Sequence, residues 1–300
     1  MYVNHARKIH APANSGQNLD ELLCEKICKS LVDRLSSQYP GQIVQILTNV
    51  DHFETACREL QELLVEARSS SSAAGPIVLR ATEEFGSARR RAEKRIFELV
   101  NSKIDDLVET AEYEWQSTYT PDGASLYMQE LTRYLSNIMT SVLLGLPPQI
   151  KELIYFDALS HIGTAVLTLP LDNMTQRISP QAVTAYRLDV DHLIEFVNNL
   201  GDPTLLENLE ELRQTVELMS TAAAPGGRAE EEFFDAEKSR RRFGKVDRAN
   251  GAELLEKVSQ GMQESQASAR AQAASPTEKK PSGMNFSNFS SRFGVHRDRS

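Results

Sequence analysis

The chain is poor in cysteine, has one tryptophan, and has no excess of basic residues. Cys24, Cys28 and Cys57 are its three cysteines. An odd, sparse set excludes a disulfide scaffold and points to a reducing cytosol. Two thiols four residues apart, with no histidine at ligand spacing, do not make a zinc site, so they read as small buried side chains. The opening MYVNHARKIHAP lacks the apolar segment of a secretory signal. The longest uncharged run, Tyr134 to Ile150, is shorter than the roughly 20 apolar residues needed to cross a bilayer, which confines any membrane role to the periphery. Lysine and arginine number 33 against 42 acidic residues, a net charge of −9. That balance excludes the broad basic field of a nucleic-acid binder. P-loop, G-x-S-x-G, H-E-x-x-H and G-x-G-x-x-G patterns are all missing, and no segment alternates convincingly as a strand does.

What is present is helical periodicity. Residues 19–36 place Leu22, Leu23, Ile27, Leu31 and Leu35 on one stripe. Ile43, Ile46, Val50, Phe53, Cys57, Leu60, Leu64 and Ala67 then step by three and four, the spacing of a helix packed lengthwise on a neighbour. A third pattern, from about Ile77 to Trp115, would reach about 55 Å if unbroken. Ser125 reads as the cap of a fourth helix carrying Leu131, Leu135, Ile138, Val142 and Leu146. Pro148 opens a fifth and Pro170 closes it. Ser179-Pro180 and Asp202-Pro203 both have the form of an N-cap followed by proline at the first helical position, with Gly201 as the C′ residue between them. The stretch from 203 to about 220 turns Leu205, Leu209, Leu212, Val216 and Met219 inward. A short turn is expected near Phe233 and a last helix near Leu254, Leu255 and Val258. The predicted class is all-α: an elongated helical-bundle rod of two bundles, 19–115 and 125–258, joined by a linker at 116–124. A disordered lead-in (1–18) and tail (259–300) complete it. The tail includes NFSNFSSRFG at 285–294, which reads either as a docking peptide or as a sticky end.

Asp157 and His161 lie four residues apart among the apolar positions of the fifth helix. They read as a structural polar pair, satisfying one another or capping a neighbouring helix. The enzymatic alternative joins them to Asp189 and His192 as a two-helix metal centre. A third reading has the 43–67 seam dimerise the chain as a coiled-coil scaffold. Two basic clusters, with Arg89, Arg90 and Arg91 in the first and Arg240, Arg241 and Arg242 in the second, are candidates for contact with acidic lipid or a partner. On the helix ending near 220, Glu210, Arg213, Gln214 and Glu217 point away from the leucine stripe and form the candidate partner-binding face.

Several blocks carry a family resemblance. AEKRIFELVNSKIDDLVETAEYEW (92–115), LLGLPPQIKELIYFDALSHI (143–162), LDVDHLIEFV (188–197), ENLEELRQTVELM (207–219) and RFGKVD (242–247) together resemble the C-terminal part of the exocyst subunit called Sec-fifteen, in its fungal forms. LSSQYPGQIVQIL (35–47) and HFETACRELQELLVEARSSSS (52–72) extend the match upstream. The resemblance implies a non-enzymatic helical protein that needs no cofactor. Its implied partners are a GTP-bound Rab GTPase and the other exocyst subunits. Its implied place is cytoplasmic, peripheral at secretory vesicles and plasma-membrane sites of exocytosis, tethering vesicles before fusion. Family proteins are longer than this chain.

Overall fold

A computed structural model describes residues 15–68 and 78–274; the lead-in up to 14, the linker 69–77 and the 285–294 motif lie outside the described residues. Within the described residues the elements are helical and no strand occurs. The first predicted helix is built in pieces: α1 (Ser15–Leu22), a π-helical segment (Leu23–Cys28), α2 (Lys29–Asp33) and a 3₁₀ turn (Arg34–Ser36). The wider π turn brings both Cys24 and Cys28 inward. Cys57 is buried too, and burial pushes the Cys28 thiol up to about 11, so all three sulfurs serve as packing.

Two long helices, α3 (Pro40–Arg68) and α4 (Arg80–Val108), form the frame. Glu54 meets Arg89, Gln61 meets Thr82, and Gln38 ahead of α3 meets Arg95, so the pair runs antiparallel. Phe53 stacks on Phe85 with ring centroids 5.2 Å apart. Ile43, Ile46, Val50 and Cys57 are all buried. The seam expected to dimerise the chain is therefore occupied by α4 of the same molecule. Asp20 of α1 caps α4, its carboxylate accepting from the Ala81 amide at 2.8 Å and the Arg80 amide at 3.2 Å.

Helix α4 stops at Val108, short of the predicted Trp115. Beyond it, residues 111–114 leave the helix with Tyr113 half-buried between exposed Glu112 and Glu114, and a turn follows in which the Ser117 amide donates to the Glu114 carbonyl at 2.9 Å. Tyr113 and Trp115 both turn inward and stack at 4.7 Å. Next come α5 (Leu126–Thr140), a 3₁₀ turn (Val142–Gly145), α6 (Pro148–Thr168) with a 3₁₀ end (Leu169–Leu171), and α7 (Pro180–Asn198). A 3₁₀ segment (Pro203–Leu209) then leads into α8 (Glu210–Ala223). Ser179 accepts from the Ala182 amide at 3.1 Å, Asp202 from the Thr204 amide at 2.9 Å, and Gly201 sits at φ +82°, all as the cap chemistry predicts. Ser125 does not cap α5, because its side chain and amide are both drawn to Asp189.

The 24-residue stretch Pro148–Leu171 is long and apolar enough to cross a membrane by composition, a property the uncharged-run test overlooked. In the fold Ile154, Ala158, Leu159, Ile162 and Val166 of α6 are buried in the protein core. Gly163 lets the backbone of Asn208 approach, since a Cβ there would lie 2.9 Å from its carbonyl oxygen.

One set of touching buried side chains runs from Cys24 to Val258. A smaller cluster of Leu218, Ala229, Phe233, Phe243, Val246 and Leu255 joins α8 to α9 (Ala229–Phe234), to the turn that follows α10 (Ala236–Arg242), and to α11 (Arg248–Ala274). Helix α11 continues well past 258, where the tail was expected to lose order. Its last part, SQASARAQAA (265–274), consists mostly of good helix formers although it has no apolar stripe. The compact unit ends at Met262, and the described residues after it are helical turns in their own right.

Candidate interaction surface

The face predicted to be free on α8 is partly taken up inside the molecule: Arg213 is exposed, Glu210 and Glu217 are half-buried and Gln214 is buried. Gln214 is 8 % exposed; its amide donates to Glu210 at 2.5 Å and its oxygen accepts from the Lys245 amide at 2.8 Å. Arg213 forks onto Glu210 at 2.7 and 2.8 Å. Glu217 accepts from Arg242 at 2.7 and 3.2 Å, and Arg242 also binds Glu232 and lies 5.0 Å from the Phe243 ring centre. Periodicity gave the right face but not what covers it, because the covering residues arrive from the short segments at 229–247. Hydrogen bonding from Arg213 holds the Glu210 carboxyl below its usual 4.5, with Gln214 and Lys245 adding to the effect. A carboxyl depressed on folding contributes stability above its unfolded value and loses it as pH falls through the lower folded value. Below pH about 4.5 the α8 contact is therefore expected to loosen. Faster hydrogen exchange at the Lys245 amide, corrected for intrinsic rate, measures this; unchanged protection down to pH about 3 would contradict it.

The basic clusters are partly consumed in the same way. Arg89 pairs with buried Glu54 at 2.9 Å and with Glu93 at 3.4 Å, and Arg241 pairs with Glu237 at 2.6 Å. Arg90, Arg91 and Arg240 are exposed and make no ion pair among the described residues.

Asp157 and His161 are not bonded to one another. Asn101 of α4 donates to Asp157 at 2.8 Å, and His161 Nε2 lies 2.6 Å from Asp105 Oδ1. The two contacts step by four residues along both helices, so α4 and α6 run parallel and the acid and imidazole are successive rungs between them. Side chains at i and i+4 share a face, and here that face meets a neighbouring helix. The residues of the enzymatic alternative do not converge either. Asp189 is 1 % exposed; its carboxylate accepts from the Ser125 amide at 2.5 Å, from the Ser125 hydroxyl at 2.8 Å and from Tyr113. His192 Nε2 instead lies 3.1 Å from the Thr132 hydroxyl of α5. Among the described residues no three His, Cys, Asp or Glu side chains gather to hold a metal.

The open surface lies between α5 and α7. A groove of about 560 Å³ runs there, with Thr132 and His192 at its floor, Phe196 half-buried along it, and Gln129, Arg133 and Glu195 exposed at its edges. Sequence reasoning missed this groove because its two walls are 60 residues apart and neither carries a motif.

Residues 5–257 match the family described as the exocyst complex subunit Sec15, C-terminal. The chain belongs to that family. It is 32% identical over 247 residues to the exocyst complex component sec15 of Schizosaccharomyces pombe, covering 77% of this chain and 31% of that protein. It is 23% identical over 280 residues to the Saccharomyces cerevisiae exocyst complex component SEC15, covering 81% of this chain and 30% of the yeast protein. The human exocyst complex component 6 is 30% identical over 206 residues, covering 66% of this chain and 25% of the human one. The chain thus spans about a third or less of each of these relatives. Membership places the chain in a family of complex subunits rather than one of enzymes, and its packed helices are in keeping with that.

Proposed function

We propose that this chain is the Rab-binding part of an exocyst subunit. It grips a GTP-loaded secretory Rab, joins other exocyst subunits, and helps hold vesicles at the plasma membrane before fusion. Family membership supports the complex, and the α5–α7 groove is the observation that carries the recognition surface. It is open and its edge groups are polar, with half-buried Phe196 as an apolar anchor, the mixture found at specific protein interfaces. Rab switch loops are ordered only around the γ-phosphate, so a surface that fits the ordered loops distinguishes GTP from GDP. The α8 face is a poorer candidate, since Gln214 and Glu217 already hold Lys245 and Arg242.

Pull-downs with GTP- and GDP-loaded Rabs separate the two surfaces. Arg133→Glu with Glu195→Arg in the groove is expected to cut retention of the GTP form by roughly tenfold at unchanged melting temperature, the size of one lost charged contact. Arg242→Glu is expected to lower the melting temperature and leave retention by the folded fraction intact. Equal retention by the groove double variant and the unaltered chain removes the groove from consideration.

A further inference from the structure

A second concavity lies where the segment after α4 crosses α7. It encloses about 230 Å³, below the roughly 300–1,000 Å³ of small-molecule sites and sized for one long side chain. Glu112 and Glu114 stand at its rim, both exposed and without an ion pair among the described residues. Tyr119, 66% exposed, and Tyr113 supply aromatic walls, and the buried Asp189 lies at the floor.

The chemistry points one way. Asp189 has both oxygens engaged by Ser125 and Tyr113, so it contributes negative field without being a free ligand. The glutamates keep open acceptors, and an exposed tyrosine ring attracts a cation over its face. Among biological cations a guanidinium suits this best: it is planar, stacks on aromatic faces and forks onto carboxylates. We infer that the Glu112/Glu114/Tyr119 pocket is a docking site for an arginine side chain presented by a protein partner, separate from the α5–α7 groove.

The chain carries its own reporter, since its single tryptophan, Trp115, stacks on Tyr113 of the pocket wall. Titration of the full chain with N-acetyl-arginine amide, followed by tryptophan fluorescence, is expected to saturate. The uncharged citrulline analogue is expected to bind about tenfold more weakly or worse, the effect of losing one charge-assisted hydrogen bond. Glu112→Gln with Glu114→Gln should abolish the preference for arginine, and Tyr119→Ala should weaken arginine binding several-fold. Both sites are exposed, so melting temperature and far-UV circular dichroism are expected to hold and thereby exclude misfolding. Equal binding of arginine and citrulline amides, or an arginine preference that survives the double glutamine variant, would overturn the assignment. The readout involves no Rab and stands or falls apart from the groove.

Discussion

Asp189→Ala is expected to lower the melting temperature of the chain by about 10 °C, among the largest effects of any single surface-neutral change. Asp189 lies on α7, yet it organises the turn into α5 by accepting from the Ser125 amide and hydroxyl. It also binds Tyr113, whose hydroxyl lies 2.8 Å from that of Tyr127. Burial, then Tyr127 and Asp189, push the Tyr113 phenol up, in keeping with its hydroxyl donating to Asp189. Removing the carboxylate takes the acceptor from three half-buried donors, the Ser125 amide and hydroxyl and the Tyr113 hydroxyl. Each neutral donor that loses its acceptor away from water costs about 1–3 kcal/mol, and a domain of this size loses about 2–4 °C per kcal/mol. Asp189→Asn keeps the shape and one acceptor and is expected to lose about half as much. Thermal unfolding of the three proteins measures both; a drop below about 2 °C for the alanine variant would mean that water takes over the site.

The same residue shows where reading the sequence stops. Asp189 was legible as polar among apolar positions of a helix, and pairing it with His192 three residues on looked chemically sensible. The fold turns the two to different partners: Asp189 to the segment at 113–127 and His192 to Thr132. Nothing local to α7 encodes that choice. Local chemistry succeeded where its cause was local. Ser179-Pro180, Asp202-Pro203 and Gly201 form the caps and turn they suggested, because a cap's donors lie within three residues of it. The inward positions Ile43, Ile46, Val50 and Cys57 of α3, Leu131, Leu135 and Ile138 of α5, and Leu212, Val216 and Met219 of α8 held for a similar reason, since 3.6-residue periodicity is a property of one helix.

Periodicity failed where tertiary contacts override it. Tyr113 and Trp115 fit a helical stripe running on from α4. Stacking and the bond to Asp189 reward leaving the helix more than seven further helical residues would. The α8 face is a different case. Glu210, Arg213, Gln214 and Glu217 do lie opposite the leucine stripe, but Arg242 and the Lys245 amide return from about 30 residues away to cover them. A polar face is a necessary sign of exposure in a single helix and an insufficient one in a bundle. Asp157 and His161 belong between these cases: their common face was legible, and their partners Asn101 and Asp105 became visible only when α4 was laid parallel to α6.

Gly261→Ala puts that dependence on distant contacts to a test in which two effects have opposite signs. In an isolated helix the substitution stabilises by about 1 kcal/mol. Here a Cβ at Gly261 would lie 2.1 Å from the Ile178 carbonyl oxygen and 2.5 Å from its carbon, both backbone atoms that no rotamer change can move. Relief requires α11 to back away from the 172–179 loop. That separation strains the bond from the Ile178 amide to the Lys257 carbonyl at 3.0 Å. It also strains those from Lys257 Nζ to the Pro170 and Asp172 carbonyls at 3.0 and 3.1 Å. Lys257 is 7% exposed, so its ammonium has little water to fall back on. Overpacking alone costs about 1–3 kcal/mol, and weakening hydrogen bonds to a buried charge costs about as much again. The clash therefore outweighs the helical gain, and the net expectation is a loss of about 3 kcal/mol, or roughly 6–12 °C in melting temperature. Hydrogen exchange should rise around residues 255–262 and at the Ile178 amide, while the α3–α4 pair keeps its protection. A melting temperature that rises by about 2–4 °C would show that helix propensity prevails and that α11 rests on the loop more loosely than its contacts require.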